Sequence, residues 1–135
     1  MGSFFRTCDA FQVEKIHLTG YTSHPPRIEI SKTAIGAEKS VPWEHHKSPL
    51  EVAETLKSEG WKLIALEIRR NATPLSEFSP SGDVCLIVGH ELEGIPEELL
   101  NLCDATVMIP MLGKKESLNV AVAAGIALHH LKNCQ

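Results

Sequence analysis

Two glycine-bearing segments of the chain carry the side chains best suited to chemistry. The first is VGHELEG, in which Glu91 supplies a carboxylate between Gly89 and Gly94. A glycine at a strand end lets a bound molecule approach the backbone closely, and a glycine before a helix permits a positive φ. The same residues also fit a plain turn with solvated glutamates. The segment alone leaves both interpretations open.

The second segment, IPMLGKKESLN, leads into an apolar helix and carries Ser117 and Asn119 around its start. A helix start offers unpaired amide donors, so polar side chains there can bind the acceptors of a ligand. The glycine-bearing loop before it has room to fold around a small molecule. The simpler interpretation is that Ser117 caps the helix and Asn119 faces water.

Arg6 is a third candidate, close to the start of the chain. Phe4, Cys8 and Phe11 recur at the spacing of one helix face, which turns Arg6 to the opposite face. There it is available to a partner, although a solvated helix arginine is the ordinary alternative.

Length, charge and composition limit the classes of protein that fit. A chain of 135 residues is long enough for one domain with its own core. The net charge of -4 provides no basic excess, so a nucleic-acid partner would have to be held by local patches or by a second subunit. Scattered cysteines and the absence of a signal or membrane-spanning run favour a soluble cytosolic protein. His45-His46 and His129-His130 lack the i, i+4 spacing of helical ligands, and no metal is predicted.

The first half of the chain indicates short elements joined by loops. KIHLTG is typical of a strand that ends at Gly20, the prolines of SHPPR indicate a loop, and residues 31–37 fit a helical turn. SPLEVAETLKSEG predicts a helix that Ser48 caps and Gly60 ends.

The second half alternates apolar strands with helices. WKLIALEI and VCLIVG read as strands buried on both faces, with helices between the strands. IPEELLNLC starts a helix at Pro96, and ATVMIPM is a strand that Pro110 must end. The last helix runs from about Leu118 to Lys132, and its apolar character predicts burial all round, which in so small a domain requires a second subunit. We therefore predict a three-layer α/β/α fold with a mostly parallel sheet and a ligand site beyond the carboxyl ends of its strands.

Three segments in this order resemble the motifs of a known family. RTCDAF, VGHELEGIP and IPMLGKKESLNVAVAAGIAL are similar to motifs one, two and three of the SpoU (TrmH-like) branch of the SPOUT methyltransferases. Members of that family methylate the ribose 2′-hydroxyl of tRNA or rRNA with S-adenosylmethionine. The resemblance implies a homodimer, a single domain over residues 1–135 and a deep trefoil knot near the carboxyl terminus, an exception to the rule against threaded chains.

The resemblance also implies roles for individual residues. Backbone groups of four residues would read the adenosine moiety of the cofactor: Leu66, Gly89, Ile109 and Leu118. Four side chains would form the catalytic site: Arg6, Glu91, Ser117 and Asn119. Because an arginine is essentially always protonated, we expect Arg6 to orient the hydroxyl and to stabilise charge. RNA would be bound by the partner subunit's surface and by four basic residues of this chain: Arg27, Lys32, Lys114 and Lys115.

The chain departs from the family pattern in places. The family's first motif begins with an asparagine one residue before Met1, preceded by a whole strand. Either the amino terminus is truncated or misassigned, or this form lacks part of the sheet and one residue of the catalytic site. Gln12 stands at a usual glycine, and His90 at a position where asparagine or a small residue is common. The alternative function is therefore a non-catalytic knotted module that binds the cofactor or RNA. A dinucleotide-dependent enzyme is disfavoured because no strand is followed by Gly-x-Gly-x-x-Gly.

Overall fold

The computed structural model describes residues 2–19, 41–89, 94–115 and 118–134 of the chain. The predicted loop at SHPPR and the predicted turn at residues 31–37 lie outside the described residues. The fold divides into two compact units, Met1–Val52 and Ala53–Gln135. Among the described residues, no helix is both long and apolar enough to cross a membrane.

The first unit begins with a helix whose buried face differs slightly from the predicted one. Helix α1 spans Gly2–Ala10. Cys8 is buried as predicted, but the fully buried aromatic ring is that of Phe5, while Phe4 is half-buried. Burial raises the pKa of the Cys8 thiol to about 12, so this cysteine is an apolar core group. Arg6 is exposed, as expected of the opposite face.

A two-stranded parallel sheet completes this unit. Strand β1 spans Ile16–Thr19 and strand β2 spans Trp43–His46, with Ile16 opposite Trp43. The predicted strand at KIHLTG is therefore confirmed. Its apolar residues Ile16 and Leu18 are buried, and the alternate positions are half-buried, which is the pattern of a strand with one covered face.

Helix α2, Pro49–Ser58, begins and ends where its sequence signals predicted. The backbone N–H of Glu51 donates to Ser48 Oγ over 3.3 Å, which is the predicted capping bond. Gly60 adopts a φ of +95°, a conformation that suits glycine beyond a helix end.

The second unit is built on a four-stranded, wholly parallel sheet with strand order β4-β6-β3-β5. Its core contains Ile64, Leu75, Val107 and Ala127, which are all buried. The strands are β3 (Lys62–Leu66), β4 (Thr73–Pro74), β5 (Val84–Val88) and β6 (Ala105–Met108). The helices are α3 (Glu97–Leu102) and α4 (Val120–Asn133), with one turn of 3-10 helix at Leu75–Glu77.

The two apolar runs form neighbouring strands but are not equally covered. In β3, three successive residues, Leu63, Ile64 and Ala65, are no more than 1% exposed, as predicted for a strand buried on both faces. Every residue of β5 is only half-buried, because β5 lies at the edge of the sheet. The two runs look alike in sequence, and their different burial follows from their places in the strand order.

Two predictions about helices are wrong. Residues 67–83, all of them described, connect β3 to β5 through β4 and the 3-10 turn, without an α-helix. This connection contains Pro74, Pro80 and Gly82, which disfavour a continuous α-helix. Pro96 does not open α3 but precedes it as the N-cap, with an extended ψ of 145°.

The last helix is not buried all round in the single chain. Ala124 and Ala127 are fully buried, but Val122 is 52% exposed and Ile126 is 43% exposed. The chain itself therefore covers one face of this apolar helix. Another face of the helix is exposed in the single chain.

Candidate functional site

Three strands of the second unit end side by side at one edge of the sheet. In the parallel register, Leu66 of β3 lies opposite Val88 of β5 and Val107 of β6. Gly89 directly follows Val88, and Ile109 follows the end of β6. The structure therefore brings Leu66, Gly89 and Ile109 to the same carboxyl edge, where open parallel sheets bind ligands.

Gly89 lies against the backbone of its own chain. A Cβ atom added at Gly89 would lie 2.6 Å from the carbonyl carbon of Gly94 and 2.7 Å from the nitrogen of Ile95. Only a glycine fits this approach. Gly89 and the Gly94–Ile95 backbone therefore lie in direct contact at the sheet edge.

Gly94 has the predicted positive φ, at +72°. A Cβ added there would clash with the carboxylate of Glu67. Glu91, the proposed acidic group of this segment, lies outside the described residues.

Sequence reasoning missed the ionic groups that follow β3. Glu67 Oε1 accepts a hydrogen bond from the backbone N–H of Ile95 over 2.8 Å. Arg69 Nη1 lies 2.8 Å from Glu97 Oε1 and 3.7 Å from Glu67 Oε2. The hydrogen bond to Glu97, followed by its charge, raises the pKa of Arg69. The signal in the sequence was Glu67 directly after a buried strand, at the end where ligands bind.

Asn119 is the N-cap of α4. Its Oδ1 accepts a hydrogen bond from the N–H of Ala121 over 2.9 Å, and its own φ and ψ of -55° and 141° are non-helical. The alternative in which Ser117 caps the helix and Asn119 sits in the first turn is therefore wrong, because the helix begins two residues later than that alternative requires. Ser117 itself lies outside the described residues.

The remaining candidates that the structure describes are exposed. Leu118, directly before the cap, is 38% exposed, and Lys114 and Lys115 are exposed in the loop after β6. Arg6 belongs to the first unit. Arg27, Lys32 and His90 lie outside the described residues.

The first unit also contains a cluster that the sequence did not suggest. His17, Glu44 and His46 share one face of the β1–β2 sheet, and His46 Nε2 lies 3.0 Å from Glu44 Oε2. Two imidazoles and a carboxylate form a ligand set that zinc uses. The ammonium group of Lys15 already pairs with Glu44 Oε1, however, and Lys15 and then His46 lower the pKa of that carboxyl group. We therefore infer that the cluster helps to hold strands β1 and β2 together.

Comparison with protein families identifies one that matches nearly the whole chain. The sequence model described as the SpoU rRNA Methylase family matches residues 1–129. The chain is 34% identical over 132 residues to the 23S rRNA (guanosine(2553)-2′-O)-methyltransferase of Bacillus subtilis, covering 98% of this chain and 52% of that protein. It is 34% identical over 128 residues to the tRNA (guanosine(18)-2′-O)-methyltransferase of Thermus thermophilus, covering 95% and 65%. The chain thus spans about half to two thirds of these curated relatives.

Solved structures show the same fold. The TrmH/SpoU tRNA modifying enzyme of Aquifex aeolicus superposes with a TM-score of 0.88 at 28% identity, over 98% of this chain and 67% of that one. The SpoU methyltransferase AviRb of Streptomyces viridochromogenes, in complex with the cofactor AdoMet, gives a TM-score of 0.86 at 27% identity, over 98% and 54%.

Proposed function

We propose, on the premise that the chain belongs to the SpoU rRNA Methylase family, that it methylates a ribose 2′-hydroxyl in tRNA or rRNA with S-adenosylmethionine. The observation that carries the proposal is the match to the family over residues 1–129, which include the three motifs in order. Two curated relatives that the chain matches over 95% or more of its own length are named as 2′-O-methyltransferases. We also propose that the enzyme acts in the cytoplasm.

The sheet edge of the second unit fits the cofactor. Leu66 and Ile109 are apolar and half-buried, and Gly89 lies beside them on the adjoining strand end. Apolar side chains beside strand-end backbone suit a flat base whose polar edge is read by N–H and C=O groups. Leu66, Gly89, Ile109 and Leu118 would hold the adenosine moiety, and the bound cofactor would supply an electrophilic methyl group.

The proposed catalytic side chains act by orientation and by charge. Methyl transfer to a hydroxyl is an in-line displacement, so the protein must hold the oxygen in line with the methyl carbon. Arg6 would orient the hydroxyl and stabilise the charge that develops on its oxygen. Glu91 and Ser117 would complete the site. Asn119 keeps its Oδ1 on the helix start, so its amide NH2 group is the part that would reach the ribose or Arg6.

The open face of α4 is the part of the chain that a second copy would cover. Val122 and Ile126 lie four residues apart on this helix, Leu118 lies directly before its cap, and all three are more than a third exposed. An apolar row of this kind on a small chain indicates an oligomer contact. We infer a homodimer, and light scattering should give twice the chain mass for the wild type and the single-chain mass for Val122→Glu. A monomeric wild type would contradict it.

We also infer that residues 1–135 belong to one three-layer α/β/α domain and that the chain is knotted near its carboxyl terminus. The family resemblance supports both points. The exposed Lys114 and Lys115, shortly after β6, would help to hold the RNA backbone near the cofactor.

Transfer of labelled methyl groups from S-adenosylmethionine to bulk tRNA and rRNA tests the function. The wild type should label one of the two pools, and Arg6→Ala should lower kcat by about 100-fold or more. Arg6→Lys should recover little activity, since a lysine lacks the planar fork of donors. Lys47→Ala, which removes an exposed cation in the same unit, serves as the control and should leave the rate unchanged. A protein that binds the cofactor and labels neither pool would point to the non-catalytic module instead.

A further inference from the structure

Glu67 connects the central strand to the segment that begins at Gly89. Its backbone N–H donates to Val107 O over 3.0 Å, so the main chain at Glu67 is still held in the sheet next to β6. Its side chain is only 21% exposed and reaches across to the N–H of Ile95. A rigid strand end thus places one carboxylate oxygen on the backbone of another loop.

The group that this carboxylate holds is the backbone N–H of Ile95, the residue directly after Gly94. Ile95 is 5% exposed, and its N–H donates to Glu67 Oε1. Gly89, at the near end of the segment, approaches the same nitrogen so closely that no side chain fits between them. The position of the Ile95 backbone therefore limits where Gly89 can lie at the end of β5.

Two further contacts support this arrangement. Gly94 leaves room for the Glu67 carboxylate, which a Cβ at that position would displace. Arg69 lies between Glu67 and Glu97 and so links the strand end to the first turn of α3. The Arg69 contact to Glu67 is 3.7 Å long, so we expect it to contribute little beside the shorter bond to Ile95.

We propose that Glu67 is a positioning residue for the cofactor: its carboxylate fixes the Gly94–Ile95 backbone and, through the close approach of Gly89 to that backbone, the strand end at Gly89. The inference rests on the proposed function, because it assigns the binding of S-adenosylmethionine to this sheet edge. Glu67 itself does not touch the reacting atoms. It acts by holding the Gly94–Ile95 backbone against Gly89, so that this strand end is in place before the cofactor binds.

Calorimetric titration of the full chain with S-adenosylmethionine distinguishes an acceptor role from a charge role. Glu67→Ala leaves the Ile95 N–H without its acceptor, and we expect about a ten-fold higher Kd, which corresponds to ~1.4 kcal/mol. Glu67→Asp keeps the charge but is one methylene too short, so it should resemble Glu67→Ala. Glu67→Gln keeps an oxygen at the same reach and should stay within about three-fold of the wild type. Glu77→Gln, at an exposed carboxylate of the same unit, is the matched control.

The binding stoichiometry and an amide exchange rate separate positioning from mere stability. A purely structural role would lower the fraction of protein that binds and leave the Kd of that fraction unchanged, and this result would overturn the proposal. Positioning predicts full stoichiometry, a raised Kd, and faster exchange of the Ile95 amide in Glu67→Asp, with the Ile64 amide of β3 unchanged. If Glu67→Ala does not fold, Glu67→Asp and Glu67→Gln give the same comparison. A wild type that fails to bind S-adenosylmethionine would refute the proposed function, whereas normal binding by all variants would refute only the role of Glu67.

Discussion

The two halves of the Asn119 side chain have different tasks in this account, and substitutions can separate them. Oδ1 caps α4 through the N–H of Ala121 over 2.9 Å, and the NH2 group is assigned to the active site. Asn119→Ala removes both. Asn119→Asp keeps an oxygen for the cap and removes the NH2 donor.

The expected stability changes follow from the cap. Loss of an N-cap side chain costs about 1 kcal/mol, so Asn119→Ala should lower the Tm by roughly 4 °C in a chain of this size. Asn119→Asp should be as stable as the wild type, because a negative charge is favourable at a helix start. Urea and thermal unfolding of the three proteins measure this directly.

The expected activities, unlike the stabilities, are the same for the two variants. Both variants should lose about 100-fold in kcat for methyl transfer, the usual effect of removing one donor from a charge-stabilising site. Asn101→Asp, at an exposed position of α3, controls for the added charge and should retain the wild-type rate. An Asn119→Asp protein that is stable and fully active would refute the catalytic assignment. One that is as unstable as Asn119→Ala would refute the cap.

Three further predictions concern backbone conformation and charge. Gln12 has a φ of 53°, so Gln12→Gly should stabilise the fold by about 0.5–1 kcal/mol in urea titrations, and lower stability would show that the Gln12 side chain matters more than its backbone. Gly89→Ala should abolish cofactor binding, because its Cβ would lie 2.6 Å from the next loop, whereas the control Gly113→Ala has no atom within 4 Å and should be neutral; equal effects in calorimetry would contradict the crowding. The Lys15 hydrogen bond lowers the pKa of Glu44, so the folded state holds this proton less tightly than the unfolded state does, and stability rises with pH across that window. The difference in unfolding free energy between wild type and Glu44→Gln should therefore be present at about pH 6 and shrink toward about pH 3, and a constant difference would exclude the ion pair.

The sequence predicts the elements whose signals are local. The cap at Ser48, the apolar run of β3 and the stop before Pro110 depend on a few neighbouring residues, and each is present in the structure. The three strand ends at Leu66, Gly89 and Ile109 also lie together, as a parallel sheet requires.

What the sequence did not predict depends on contacts between distant residues. Glu67 meets the N–H of Ile95, 28 residues away, and no local pattern encodes that pairing. The half-burial of β5 follows from its place at the sheet edge, which strand order alone decides. Gly89 was identified as a point of close approach, but the structure shows that the nearest backbone is that of Gly94 and Ile95. The sequence places the start of α4 two residues too early, because Ser117 is as suitable a capping residue as Asn119.

The position of the transferred methyl group distinguishes methylation of the ribose from methylation of a base. RNA incubated with the protein and S-adenosylmethionine labelled in its methyl group should be digested to nucleosides and analysed by mass spectrometry. We expect label on the ribose of a 2′-O-methylated nucleoside, and labelling about 100-fold slower or more with Arg6→Ala. Label on a base, or cofactor binding with no labelled nucleoside in tRNA or rRNA, would contradict it.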